Sequence, residues 1–139
     1  MTYDENLIKL KDSDGRTALH LACQGGHYDV VLAVEPQLKL EGVREAPDEW
    51  DNRPLHLACG SNSARIVKLL VDNEADISIK NKKSEIPLHI ASQNGNVEIG
   101  KLLVTGVDLA KMKDSGGRNP LHTAVLNNRK DMIDFLCQW

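Results

Sequence analysis

The chain has 139 residues, enough for one domain of ordinary size, and its 41% hydrophobic and 27% charged content excludes a disordered polar tail. A formal net charge of −3 excludes the basic excess that phosphate-backbone binding requires, so no nucleic-acid partner is expected. No apolar run approaches a membrane span, the opening "MTYDENLIKL" lacks a signal peptide's basic-then-apolar order, and three cysteines do not make a disulfide framework.

In chain order, "NLIKLKD" reads as the closing half of a helical hairpin, with Ile8 at an apolar position. A polar turn, "DSDGR", then leads into a short helix, "TALHLAC". The small turn "QGGH" and a second helix containing "VVLAV" follow, and Pro36 is expected to end that helix. The stretch "EPQLKLEGVREAP" has prolines near both ends and a central glycine, which predicts an ordered excursion. It is locally acidic, with Glu35, Glu41, Glu45, Asp48, Glu49 and Asp51 in and just after it. The same succession then recurs as "RPLHLAC" with "IVKLLV", "IPLHIAS" with "IGKLLV", and "NPLHTAV" with "MIDFLC". In three of the units proline takes the first helical position, where its missing N–H costs nothing. Such a helix pair cannot bury its apolar face alone, whereas stacked neighbours can.

The recurrence is periodic. His20, His56, His89 and His122 are separated by 36, 33 and 33 residues, and Asp12, Asp48, Asn81 and Asp114 stand eight positions before them. With "DSDGRTALHLACQGGHYDVV" matching the pattern D-x-x-G-x-T-P-L-H-x-A almost throughout, the chain resembles an ankyrin-repeat array over nearly its whole length. That resemblance implies an all-α solenoid of stacked antiparallel helix pairs joined by hairpin-like turns. It divides a single domain, 1–139, into an N-terminal segment 1–11 like the end of a preceding repeat, repeat 1 with its insertion at 12–47, repeat 2 at 48–80, repeat 3 at 81–113 and a truncated repeat 4 at 114–139.

His20 with Cys23, and His56 with Cys59, share a helix face, which raises a metal site or a thiol–imidazole pair. In repeat register these residues stack along the solenoid instead of converging, and no third orienting group or oxyanion donor accompanies them. Buried free thiols, no metal or other cofactor and no enzyme are therefore expected. The resemblance implies that the repeated histidines tie neighbouring repeats together through backbone hydrogen bonds, with His27 at another family-typical position. Thr17 is the family's helix cap and Asn119 an adequate substitute, but Arg53 and Ile86 cannot cap in the same way.

The same resemblance implies a concave surface of hairpin tips and inner helices that binds a partner protein. By register its tips carry Arg16; Glu49, Trp50 and Asn52; Lys82, Lys83 and Glu85; and Arg118, while the inner helices add Gln24, Gln93, Asn94 and Leu126. Trp50 stands out because a tryptophan at a tip has little core to enter, and either a binding hot spot or packing on the insertion accounts for it. Lysines at 80, 82, 83, 111 and 113 with Arg118 oppose the acidic insertion, so an acidic or phosphorylated partner segment is expected. The setting expected is intracellular and cytoplasmic, with the nucleus left open and no direct membrane insertion. A cytoplasmic structural segment of a larger channel, kinase or adaptor is the alternative, together with a regulator similar to the inhibitors of NF-κB. For the latter, "DSGGRN" lacks the second serine of their phosphodegron, Asn119 standing in its place. The helix in "RKDMIDFLCQW" is apolar on more than one side, which points to further repeats of a longer parent chain or to another covering molecule.

Overall fold

The computed structural model describes residues 5–139, so the first four residues of the expected 1–11 segment lie outside the described residues. A short helix α1 (Glu5–Ile8) precedes four helix pairs: α2 (Ala18–Gly25) with α3 (Tyr28–Ala33), α5 (Pro54–Gly60) with α6 (Ala64–Asp72), α7 (Pro87–Asn94) with α8 (Val97–Leu103), and α9 (Pro120–Leu126) with α10 (Lys130–Leu136). Among the described residues there is no strand, and the fold is the all-α stack that the repeat implies. The first helices pack in one layer, α2 on α5 on α7 on α9, and the second helices pack behind them, α3 on α6 on α8 on α10.

Each pair starts from a turn that its own side chain organises. The Oδ1 atoms of Asp12, Asp48, Asn81 and Asp114 each accept two N–H groups, two and four residues ahead, at 2.8–3.0 Å. This is why a short Asp or Asn recurs there. Every turn then passes through the left-handed region, at Gly15 (φ 74), Asp51 (φ 58), Ser84 (φ 58) and Gly117 (φ 78). A Cβ on Gly15 would lie 2.9 Å from the Glu49 nitrogen, which donates across the tips to the Asp14 carbonyl. Gly15→Ala should therefore lower stability by about 1–2 kcal/mol, read as a lower urea midpoint. An unchanged midpoint would mean the turn adopts the slightly different φ of Asp51 and Ser84 without loss.

The histidines hold the stack together. In all four pairs Nδ1 accepts the N-cap backbone N–H at 3.0–3.1 Å, which places the ring proton on Nε2. From there His20, His56 and His89 donate to the carbonyls of Asn52, Glu85 and Arg118 in the following turn, at 2.9–3.0 Å. His122 makes no such bond among the described residues. The capping expectation divides as residue chemistry requires: Thr17 and Asn119 side chains accept from the third helical N–H, whereas Arg53 and Ile86 offer no acceptor there. The reciprocal half of the cap, supplied by histidine, survives in every pair.

Burial lowers the pKa of His20 and His56 against the opposing pull of their carbonyl partners. The unfolded chain then binds protons that the folded chain refuses once pH falls below about 6.5. Stability from these two groups is intact above that pH and is lost as pH falls from there to their lowered folded values. Glu45, raised chiefly by burial, acts in the opposite sense at lower pH. A melting temperature that declines between about pH 7 and 5.5 is expected, and a flat profile would remove the histidines from the account.

The insertion is ordered, with a change at its start. The helix ends at Ala33, before Pro36, and the proline sits in the first turn of a 3₁₀ helix, Glu35–Lys39, followed by α4 (Glu41–Arg44). Leu38, Val43 and Ala46 are buried beneath it. Arg44 Nη1 donates to the Leu38 carbonyl at 3.0 Å, and a Glu45 carboxylate oxygen accepts the Asp76 N–H at 2.9 Å, tying the excursion to the next loop. Part of the acidic character is thus spent internally, at Glu45 and at the buried Asp48.

The last helix is less uniformly open than its sequence suggests. Phe135 is half-buried beside Gly100, where its ring would meet an added Cβ at 3.2 Å, while Trp139 is exposed and packs edge-on to Phe135 at 6.0 Å. The two aromatic residues are therefore not interchangeable: Phe135 belongs to the packing of α8 on α10, and Trp139 belongs to the surface.

Candidate functional site

The tips form a ladder. Glu49, Lys82 and Ser115 N–H groups donate to the carbonyls of Asp14, Trp50 and Lys83 respectively, at 2.9–3.0 Å, so successive turns lie edge to edge in a continuous rim. Between this rim and the inner helices runs a groove of about 550 Å³ centred on the first three pairs. Its lining includes Arg16, Gln24, Trp50, Asn52, Lys82, Lys83, Glu85 and Gln93, eight of the twelve residues expected from register. Leu57 and Ile90, half-buried on α5 and α7, add an apolar floor that the sequence reading missed. Their signal was present: both lie one position past the repeated histidine, on the helix edge next to the buried stripe.

The other four expected residues fall elsewhere. Arg118 and Leu126 line an adjoining hollow of about 430 Å³, which shares Lys83, Glu85 and Gln93 with the groove. Asn94 is structural, its amide donating to the Cys59 and Gly60 carbonyls at 3.2 and 3.4 Å. Glu49 is an exposed tip residue outside both depressions.

Trp50 lines the groove. Arg16 lies over its ring at 5.2 Å from the centroid and is itself held by Asp48 Oδ2 at 3.2 Å and by Gln24 Oε1 at 2.9 Å. The guanidinium is thereby neutralised and fixed, and the indole stays 44% exposed at the groove's edge. Lys82 and Lys83 are different: both are exposed, and among the described residues neither has a carboxylate within ion-pair distance. Glu85 is partly occupied, because Asn81 Nδ2 bridges its Oε1 at 3.1 Å and Asn52 Oδ1 at 2.9 Å. The groove therefore has a held aromatic edge, an apolar floor and one wall with free positive charge.

Cys23 and Cys59 lie in the packed column between the layers, both fully buried as free thiols. Burial pushes the Cys23 thiol up to about 12, and raises Cys59 further with Cys23 as an added cause. Such burial holds the thiols protonated and makes them poor nucleophiles. No helix among the described residues is long and apolar enough to cross a membrane.

Stacked helix pairs with a ladder of tips and a groove along the inner helices define a helical repeat solenoid. The chain belongs to the ankyrin-repeat family: the pattern described as "Ankyrin repeats (3 copies)" matches residues 3–81 and again 55–139. It is similar to the mitochondrial liver isoform of glutaminase from Rattus norvegicus, 35% identical over 79 residues, which are 57% of this chain and 13% of that protein. Human ankyrin repeat domain-containing protein 63 is 38% identical over 64 residues, covering 46% of this chain and 16% of its own. The serine/threonine-protein kinase VIK of Arabidopsis thaliana is 36% identical over 67 residues, covering 48% of this chain and 15% of its own. The chain thus spans 13–16% of the length of these three relatives.

Proposed function

We propose that the chain is a non-catalytic module that binds a partner protein, in the cytoplasm or nucleus, by taking an extended segment into the groove between Trp50 and the Lys82–Lys83 wall. The observation that carries this reading is the pairing of unspent lysines with a half-exposed tryptophan over which Arg16 lies. Arg16 over the ring lowers the ordering cost of the indole, and the free lysines, which must still give up rotamer freedom, have no internal ion pair to break. Leu57 and Ile90 supply desolvating area, and the lysines select an anionic side chain, carboxylate or phosphoserine, on the same segment.

Trp50→Ala should weaken partner binding by about 2 kcal/mol or more, as expected of a buried aromatic anchor. Lys82→Glu with Lys83→Glu should chiefly slow association, by a factor that shrinks as salt rises. Surface-immobilised peptides with Glu, phosphoserine or Ser at one position separate the two anions. If both variants melt like the parent and bind with unchanged rates, the groove is not the site.

A second reading is a segment whose work is intramolecular within a larger protein. It is favoured by the small share of the matched glutaminase and kinase that these repeats occupy. There the groove would take a segment of the same polypeptide.

A further inference from the structure

Where the groove meets its adjoining hollow, a single turn presents two opposite charges. Lys83 and Glu85 line both depressions, together with Gln93 of α7. The two stand on either side of Ser84, at φ 58, yet they make no ion pair with one another.

The turn that carries them is pinned at each step. Lys82 N–H donates to the Trp50 carbonyl, Lys83 N–H donates to Asn81 Oδ1, and the Lys83 carbonyl accepts from the Ser115 N–H. Glu85 is held at both ends of its backbone. Its N–H donates to Asn81 Oδ1 at 3.0 Å, and its carbonyl accepts from the Asn81 N–H and from His56 Nε2–H. The carboxylate is aimed as well, because Asn81 Nδ2 reaches Oε1 while also donating to Asn52 Oδ1. Among the described residues Oε2 accepts no hydrogen bond. The other acid lining these depressions, Asp114, spends its Oδ1 on its own turn.

An occupant that covers this wall takes Glu85 out of water, and one amide contact does not offset that loss for a carboxylate. A segment carrying only acids would add like-charge repulsion, whereas a cation on it reverses the sign. The geometry points to a partner segment of mixed charge: an acidic residue opposite Lys82 and Lys83 and, two positions away from it, a Lys or Arg that pairs with Glu85. Side chains two apart on one face of an extended chain stand about 7 Å apart, which matches the reach between two residues of one turn. Glu85 is then the residue that sets specificity, rejecting segments that carry acids alone. This rests on the groove reading above and adds to it a second charge of opposite sign.

A library of short random peptides, displayed and selected on the immobilised chain, tests this with the variants Glu85→Gln and Trp50→Ala. Glutamine keeps an oxygen for Asn81 Nδ2 and leaves the backbone bonds of residue 85 in place, so Glu85→Gln should melt like the parent. Selected peptides should carry an acid with Lys or Arg two positions away. Replacing that cation by alanine should weaken binding to the parent at least about tenfold, and binding to Glu85→Gln less than about twofold. The composition of the peptides is read on the parent alone, so it stands whether or not the variant folds. Peptides without such a cation, or an equal loss on both proteins, overturn the inference. If those peptides still bind Trp50→Ala more weakly than the parent, the groove reading survives without it. A selection that yields no peptide, or peptides indifferent to Trp50→Ala, removes the groove reading and this inference together.

Discussion

His56→Ala should destabilise the chain by about 3 kcal/mol, whereas His122→Ala should cost less than about 1 kcal/mol. The two residues hold the same place in their repeats, and both accept their N-cap N–H through Nδ1 at 3.0 Å. Only His56 is buried, at 1% exposure, and only His56 sends Nε2–H to the next turn, reaching the Glu85 carbonyl at 2.9 Å. Its loss opens a cavity between α5 and α7 and leaves the Arg53 N–H without an acceptor. Glu85 keeps one partner, the Asn81 N–H, which limits the penalty on that side. His122 is exposed, so water replaces what alanine removes. Urea unfolding of the two variants measures the contrast, and equal losses would show that the cap, not the bridge between pairs, is what histidine supplies.

The period made the fold legible because each element's chemistry is local. Asp12, Asp48, Asn81 and Asp114 organise their turns through bonds two and four residues away, and proline at the first helical position needs no tertiary context. What the sequence could not convey is what depends on neighbours. Val30 and Ile66 read alike at one repeat position, yet one is half-exposed and the other buried, because burial there is supplied by the preceding pair. Phe135 reads as surface until Gly100 is seen beside it.

The groove was legible in outline and not in detail, for a similar reason. Register brings Trp50, Lys82, Lys83 and Glu85 to one rim, and the structure places all four around a single depression. Register does not say which charges are already spent. Arg16 is committed to Asp48 and Gln24, and Asn94 to two carbonyls of α5, which removes them as free contacts. Lys82 and Lys83 remain unspent, with no carboxylate within ion-pair distance among the described residues. Of the acids in and just after the insertion, Glu45 is held by the Asp76 N–H and Asp48 by Arg16.

Ile99→Ala should cost about 3 kcal/mol and also divide the unfolding of the chain in two. Ile99 is fully buried on α8, which packs against α6 on one side and α10 on the other. Each pair in such a stack touches only its neighbours, so stability is a sum of intrinsic and junction contributions. Weakening the third pair uncouples the fourth from the first two. The chain carries its own reporters, since Trp50 lies in the second turn and Trp139 follows the last helix. In the parent, the fluorescence of single-tryptophan variants Trp139→Phe and Trp50→Phe should give one shared urea midpoint, as a cooperative unit requires. With Ile99→Ala added, Trp139 should report the lower midpoint and Trp50 the higher, because the first two pairs keep the α2–α5 and α3–α6 contacts intact. Coincident midpoints in the Ile99→Ala background would mean that no pair of helices survives the loss of its neighbour, and that the four stand or fall together.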